Sequence, residues 1–109
     1  MQGSEINIPT PLLSKLAEFR IPGEAMQVLM VILSRTYGWQ QKLTHIPTGE
    51  IEAVTGIKKP NVVRSINRLY EMGVIIINTD NNINKRYAVN VDFDAWKKVQ
   101  SEVPKRVNA

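Results

Sequence analysis

The residues that decide the fold are 51–77, IEAVTGIKKPNVVRSINRLYEMGVIII. A short helix is expected from Thr48 to about Thr55, and Gly56 follows it. A second helix runs from Lys58 to Met72, and Gly73 ends it. Two helices joined by a short turn that contains glycine form the helix-turn-helix arrangement.

The second predicted helix has an apolar side and a polar side. When it is drawn at about 100° per residue, its apolar residues fall within about 60° of Ile66, which predicts the side that faces the core. These apolar residues are Val62, Val63, Ile66, Leu69 and Tyr70. The opposite side and its flanks carry amide, hydroxyl and guanidinium groups, from Asn61, Arg64, Ser65, Asn67 and Arg68. An ordinary solvated helix face more often mixes Glu and Lys in pairs four residues apart.

Positive charge is concentrated in the same helix. The chain has a formal net charge of +4 and a pI near 9.6. Residues 58–68 contain four cations, Lys58, Lys59, Arg64 and Arg68, and no acidic residue. A local basic face is what a phosphate-binding surface needs. The alternative is a solvated helix face with no ligand.

Two strands are expected after this helix. Val74–Ile77 is a β-branched run, Thr79–Asn82 is dense in turn residues, and Lys85–Val89 predicts a returning strand with Tyr87 and Val89 on one face. A hairpin directly after such a helix predicts a wing. Its polar residues, which can lie along a nucleic-acid groove or backbone, are Asn82, Asn84, Lys85 and Arg86. The alternative is a plain hairpin with a solvated tip.

The first half of the chain predicts two helices and a short strand. Pro11–Phe19 has apolar residues at helical spacing, with Thr10 as the expected N-cap. Gly23–Thr36 has a wide apolar face, typical of a helix that is packed on several sides. A short strand is expected within Thr44–Pro47, and a last helical turn or two within Asp92–Lys98.

These elements predict an α+β fold, mostly helical, of the winged helix-turn-helix class. The expected order is helix, helix, strand, helix, helix, strand, wing, strand. Core positions outside the second helix of the motif are expected to include Ile51, Val54, Phe93 and Trp96. Residues 1–98 are expected to form one domain, and residues 99–109 a polar, flexible tail.

Composition argues against several classes of protein. There is no cysteine, which excludes disulfides and the usual zinc-finger ligand sets. The longest apolar stretch, Val28–Leu33, is too short to span a membrane, and we expect a cytoplasmic protein. The single histidine, His45, lacks partners for a metal site or a catalytic dyad. Without a nucleophile constellation or a phosphate-cradling glycine loop, we expect neither an enzyme nor a cofactor.

Two stretches of the sequence resemble a known family. Residues 8–47, IPTPLLSKLAEFRIPGEAMQVLMVILSRTYGWQQKLTHIP, are similar to the N-terminal domain of the phage replication protein O family. The most specific block is Arg35–Trp39, RTYGW, where the family usually has KTYGW. The helix-turn-helix stretch resembles the family's TG…V…L…L…GII pattern. The resemblance covers Ile6 to Val89.

The resemblance implies a winged-helix domain that binds repeated sites at a phage replication origin. In the family, a separate C-terminal region recruits the helicase loader, and this 109-residue chain is expected to lack that region. The family often has Ser where this chain has Lys58. A cation near a helix N-terminus is disfavoured by the helix dipole, and a nearby phosphate would relieve that cost.

Roles follow for the polar residues if the partner is double-stranded DNA. Direct base readout is expected from Asn61, Arg64, Ser65 and Arg68, with Asn67 on the flank, because Arg suits guanine and Asn suits adenine. Phosphate contacts are expected from Lys58, Lys59, Lys85 and Arg86, with Thr48 adding a backbone contact.

Three functions remain open from the sequence. The chain is a phage-type replication initiator, a transcriptional regulator on the same scaffold, or a winged helix that binds a protein through the same face. A homodimer through Ile6–Phe19 is also open, because that segment is apolar. Tyr37 and Trp39 are either stacking platforms for single strands or, as we expect, packing residues.

Overall fold

A computed structural model describes residues 5–37, 43–79 and 85–97. The chain order of its elements is α1 (Thr10–Glu18), α2 (Gly23–Thr36), β1 (Thr44–His45), α3 (Thr48–Thr55), α4 (Lys59–Glu71), β2 (Ile75–Thr79), β3 (Lys85–Val89) and a 3₁₀ turn (Phe93–Ala95). The fold is therefore α+β and mostly helical, and it is compatible with a winged helix. The predicted tail, the wing residues Asn82 and Asn84, and Trp39 lie outside the described residues.

Helix α2 is the central element. It contacts α3, α4 and β3, so it is covered on several sides as its wide apolar face predicts. Its buried residues are Ala25, Val28, Leu29, Val31, Ile32, Leu33 and Thr36. The predicted bounds of this helix are confirmed at both ends.

The three strands form one antiparallel sheet in the order β1-β3-β2. Tyr87 of β3 lies opposite both Thr44 and Ile77, and it is buried toward the helices together with Val89. Because neighbouring residues of a strand point to opposite faces, Arg86 lies on the outer face of the sheet. The predicted strand Lys85–Val89 and the shared face of Tyr87 and Val89 are confirmed.

The predicted inward residues Val62, Ile66 and Leu69 of α4 are confirmed as buried, but the centre of the inward side differs from the predicted one. Leu69 is fully buried and Ser65 is only 5% exposed, whereas Val63 and Tyr70 are 42% and 55% exposed. The buried side is therefore turned by about 60° from Ile66 toward Leu69. The prediction was wrong because it weighed apolar character alone, whereas the position of α2 decides which side of α4 is covered. A serine suits the covered side because its small side chain allows close packing.

None of the four described α-helices has a side-chain N-cap. Thr10 is the first residue of α1 rather than its cap, and the cap position is Pro9. The prediction that Val54 faces the core was also wrong, because α3 buries Ile51 and leaves Val54 exposed. None of the helices among the described residues combines the length and apolar character that a membrane crossing needs.

The segment after β3 is fastened to the end of α4. Gly73 has a φ of 77°, and a side chain there would collide with the backbone carbonyl of Ala95. The Lys97 amide donates to the Met72 carbonyl at 2.7 Å. Trp96 is buried and meets the rings of Phe19 and Phe93 edge to face, each with centroids 5.5 Å apart. The predicted docking of Phe93 and Trp96 on the body is confirmed.

Substitutions on two sides of α4 test its orientation. Leu69→Ala is expected to lower the free energy of unfolding by about 2–5 kcal/mol, because it removes a fully buried side chain and leaves a cavity. Val63→Ala is expected to change it by no more than about 0.5 kcal/mol, because that side chain is exposed. Urea unfolding measures both. Equal losses for the two variants would contradict the orientation described here.

Substitutions at two glycines with the same backbone conformation distinguish the cost of steric overlap from the cost of backbone strain. Gly56 and Gly73 have φ values of 79° and 77°, but only at Gly73 would a side chain meet neighbouring atoms. Gly56→Ala is expected to cost about 1–2 kcal/mol for the left-handed backbone alone. Gly73→Ala is expected to cost clearly more, measured as a larger fall in Tm. A smaller loss at Gly73 would show that the 93–97 segment does not lie against it.

Candidate nucleic-acid interface

The exposed side of α4 combines cations, an amide and one apolar side chain. Its exposed residues include Lys59, Val63, Arg64 and Asn67. The first acidic residue of the helix is Glu71, at its last position. This side can therefore accept a polyanion over most of its length without charge repulsion.

Arg64 is held by a neighbour on the same helix. Its Nη1 donates to the Asn61 Oδ1 at 2.5 Å. The bond turns the guanidinium toward the start of α4, where Lys58 and Lys59 are exposed. A guanidinium fixed by one bond keeps its other N–H groups for a bidentate contact.

A cleft of about 420 Å³ separates α4 from the sheet. We call it the sheet-side cleft. It is lined by His45, Ile46, Pro47, Thr48, Val63, Ile66, Asn67, Lys85 and Tyr87. The His45 ring nitrogen Nδ1 lies 2.9 Å from the Lys85 carbonyl oxygen, which ties β1 to the start of β3. Thr48, in the first turn of α3, and Lys85, at the start of β3, both line this cleft.

Burial raises the pKa of the Tyr87 phenol above its usual value of 10.0. The hydroxyl is therefore neutral at physiological pH and remains a hydrogen-bond donor at the cleft.

A second cleft, of about 240 Å³, lies between α4 and the start of α2. We call it the α2-side cleft. It is lined by Pro22, Glu24, Ala25, Arg64, Ser65 and Arg68. Ser65 and Arg68, which the sequence assigned to base readout, thus border α2. Arg64 lies between the exposed side of α4 and this cleft.

The predicted site residues fall into three groups in the structure. Those exposed are Lys58, Lys59, Arg64, Asn67, Lys85 and Arg86; those half-buried are Thr48, Asn61 and Arg68; Ser65 is buried. Arg86 lies on the outer face of the sheet and so does not join Lys85 at the sheet-side cleft. Val63 was assigned to the core, and only the position of α2 reveals it as a surface residue.

The described part of the RTYGW block, Arg35–Tyr37, packs α2 against neighbouring elements. Arg35 forms an ion pair with Glu50 of α3, and its carbonyl accepts a 3.4 Å hydrogen bond from the Thr44 hydroxyl. Thr36 is buried and donates to the Ile32 carbonyl at 2.8 Å, while Tyr37 packs against the core. Arg35 therefore joins α2 to α3 and β1, and the packing of Tyr37 against the core agrees with the role expected for it.

Within residues 5–37, 43–79 and 85–97, no three His, Asp or Glu side chains come together in a way that would hold a metal ion. The residues that line the two clefts offer cations, hydroxyls, an amide and helix starts, together with the carboxylate of Glu24.

The raised pKa of Tyr87 predicts a loss of stability in alkali. Below pH 10 the phenol is neutral in both states; as pH rises above 10, the unfolded chain releases this proton first. The free energy of unfolding is therefore expected to fall between about pH 10 and the raised pKa of the folded state. Tyr87→Phe should flatten that fall, measured by urea unfolding at about pH 8 and pH 11. An unchanged slope in the variant would contradict it.

Comparison with known proteins agrees with the resemblance noted in the sequence. The pattern of the family described as Bacteriophage replication protein O matches residues 6–96. No curated protein and no solved structure was found that matches the chain. The family match includes every described helix and strand, both clefts and the RTYGW block. The chain therefore belongs to the bacteriophage replication protein O family, whose proteins take part in phage replication.

Proposed function

We propose that this chain is a winged-helix domain that binds double-stranded DNA in a sequence-specific manner and recognises a phage replication origin. The observation that carries the proposal is the exposed side of α4, which is basic, lacks acidic residues until Glu71 and is bordered by a cleft on each flank. We propose a binding domain without catalytic activity.

The dimensions of α4 suit the major groove. Its 13 residues span about 20 Å, and the groove is about 12 Å wide, which admits one helix. Arg64 can pair with guanine, Asn67 can pair with adenine, and the Val63 methyl groups can contact the methyl group of thymine. Arg64 and Asn67 belong to the set predicted from the sequence, and Val63 is added because it is exposed. Asn61, Ser65 and Arg68 are not kept for base readout, because they are half-buried or buried.

Contacts with the DNA backbone are assigned to residues that surround the exposed side of α4. Lys58 and Lys59 stand at the start of α4, where a phosphate offsets their unfavourable interaction with the helix dipole. Lys85 and the first turn of α3 face the sheet-side cleft, so a phosphate beside the wing would meet a cation and a helix start together. Such contacts position the helix and carry no sequence information.

Binding of selected DNA tests the proposal. A duplex selected from a random pool is titrated at several salt concentrations with wild-type protein, Arg64→Ala and Asn67→Ala. Each variant is expected to lose about 1–3 kcal/mol of affinity for the selected duplex, because each removes a base contact. Lys85→Ala is expected to weaken all sequences equally and to lower the salt dependence by about one phosphate contact.

Lys15→Ala is the matched control, because Lys15 lies on α1 above the Phe19 ring and outside both clefts. It should bind the duplex as wild type does. Weak binding that is insensitive to salt would contradict DNA recognition and favour the protein-interaction alternative.

The assignment to an origin rests on family membership and needs its own measurement. Footprinting on phage DNA is expected to show repeated protected sites within the replication origin. Protection of a single promoter site would instead favour a transcriptional regulator. We further propose two protein partners at the origin. One is a second copy of the chain, and the other is a helicase loader. Sedimentation with and without DNA tests the second copy.

A further inference from the structure

We propose that the α2-side cleft is a binding site for a DNA backbone phosphate, held by the first-turn amides of α2 and the Ser65 hydroxyl. The inference rests on the proposed binding of DNA by α4. It assigns a second backbone contact, on the flank of α4 away from the sheet. It also gives Ser65 a role different from base readout.

The first observation is the uncapped start of α2. Its N-cap position is Pro22, which offers no side-chain acceptor, and the first intrahelical bond is from the Met26 amide to the Pro22 carbonyl, at 2.8 Å. The amides of Gly23, Glu24 and Ala25 therefore have no partner within the helix. Amides at a helix start, together with its dipole, favour an anion.

The second, independent observation is Ser65. It is only 5% exposed and lines the cleft. Its hydroxyl forms no hydrogen bond with another described residue, and because no buried side-chain oxygen among these residues lacks a partner, the hydroxyl oxygen is open to the cleft. A hydroxyl inside a helix commonly donates to the carbonyl four residues earlier. Thr36 and Thr55 do so in this chain, at 2.8 Å and 2.7 Å, whereas Ser65 does not. Ser65 therefore retains a donor at the cleft, next to the start of α2.

The charge around the cleft favours an anion with a modest margin. Two guanidiniums, of Arg64 and Arg68, and one carboxylate, of Glu24, line it. The carboxylate opposes an anion, and a phosphate is therefore expected to bind more tightly when Glu24 is neutral.

The α2-side cleft is positioned to face the DNA phosphate chain on the side of the major groove away from the sheet-side cleft. On α4, the residues that line it lie about 150° around the helix from those that line the sheet-side cleft. The exposed side of α4 lies between the two. A helix inserted into the major groove has a phosphate chain on each flank. Each cleft then faces one of the two chains.

Gly23 provides the sharpest test. Proline is favoured at the first position of a helix and lacks the N–H, and nothing lies within 4 Å of a Cβ at Gly23. Gly23→Pro should therefore remove one amide donor without lowering Tm, whereas Gly23→Ala keeps that donor. With the selected duplex we expect about a tenfold loss of affinity for Gly23→Pro and for Ser65→Ala. Gly23→Ala should bind like wild type, and Glu24→Gln should bind more tightly.

The identity of the anion is tested on the DNA. Single methylphosphonates, which remove one backbone charge, are placed in turn along the duplex. At one position on the strand that faces α2, the substitution should weaken wild type but have little further effect on Gly23→Pro. Wild-type affinity in both Gly23→Pro and Ser65→Ala would overturn this inference alone. Failure of the wild type to bind any duplex would instead overturn the proposed function on which it rests.

Discussion

The burial of α2 on several sides is the constraint on which the rest of the structure depends. A helix that contacts α3, α4 and β3 at once fixes the positions of all three. Val28, Leu29 and Ile32 are fully buried, so the helix cannot rotate without exposing apolar surface on one side and overpacking the other. The side of α4 that remains exposed is the side that α2, α3 and β2 leave uncovered. Its chemistry is therefore a consequence of packing as much as of the α4 sequence.

The arrangement of the elements could be predicted because local signals agree with the core. Pro22 and Gly23 mark the start of α2, and Gly56 and Gly73 occupy left-handed positions that end α3 and α4. The β-branched residues after Gly73 form β2. These signals lie within a few residues of the feature that they determine. For that reason a single amino-acid sequence is enough to locate the ends of these elements.

The rotation of α4 could not be predicted because it depends on a distant segment. Ile66 stands near the middle of the apolar residues on a helical wheel, yet the covered side also includes Ser65 and excludes Val63. Only the placement of α2 distinguishes a small polar residue at a close helix contact from one that faces solvent. Ser65 and Arg68 therefore border α2 and do not lie fully on the solvent side where the sequence pattern placed them, whereas the assignment of DNA contacts to α4 stays a prediction. Arg35 shows the same limit, since its contacts are with Glu50 of α3 and Thr44 of β1, which lie beyond its own stretch of sequence.

Asn90 gives the hairpin one fixed end. Its amide donates to the Val74 carbonyl, its side chain bonds to the Gly73 carbonyl and to the Asp92 amide, and its carbonyl accepts the Trp96 indole N–H. Four bonds at one residue fix this end of the β2–β3 hairpin, and the contact between the His45 ring and the Lys85 carbonyl ties the opposite end of β3 to β1. Lys85 stands at that opposite end, about 13 Å along the strand from Val89. The backbone of β3 is therefore fastened at both ends, and the part of Lys85 that can adjust to a partner is its exposed side chain.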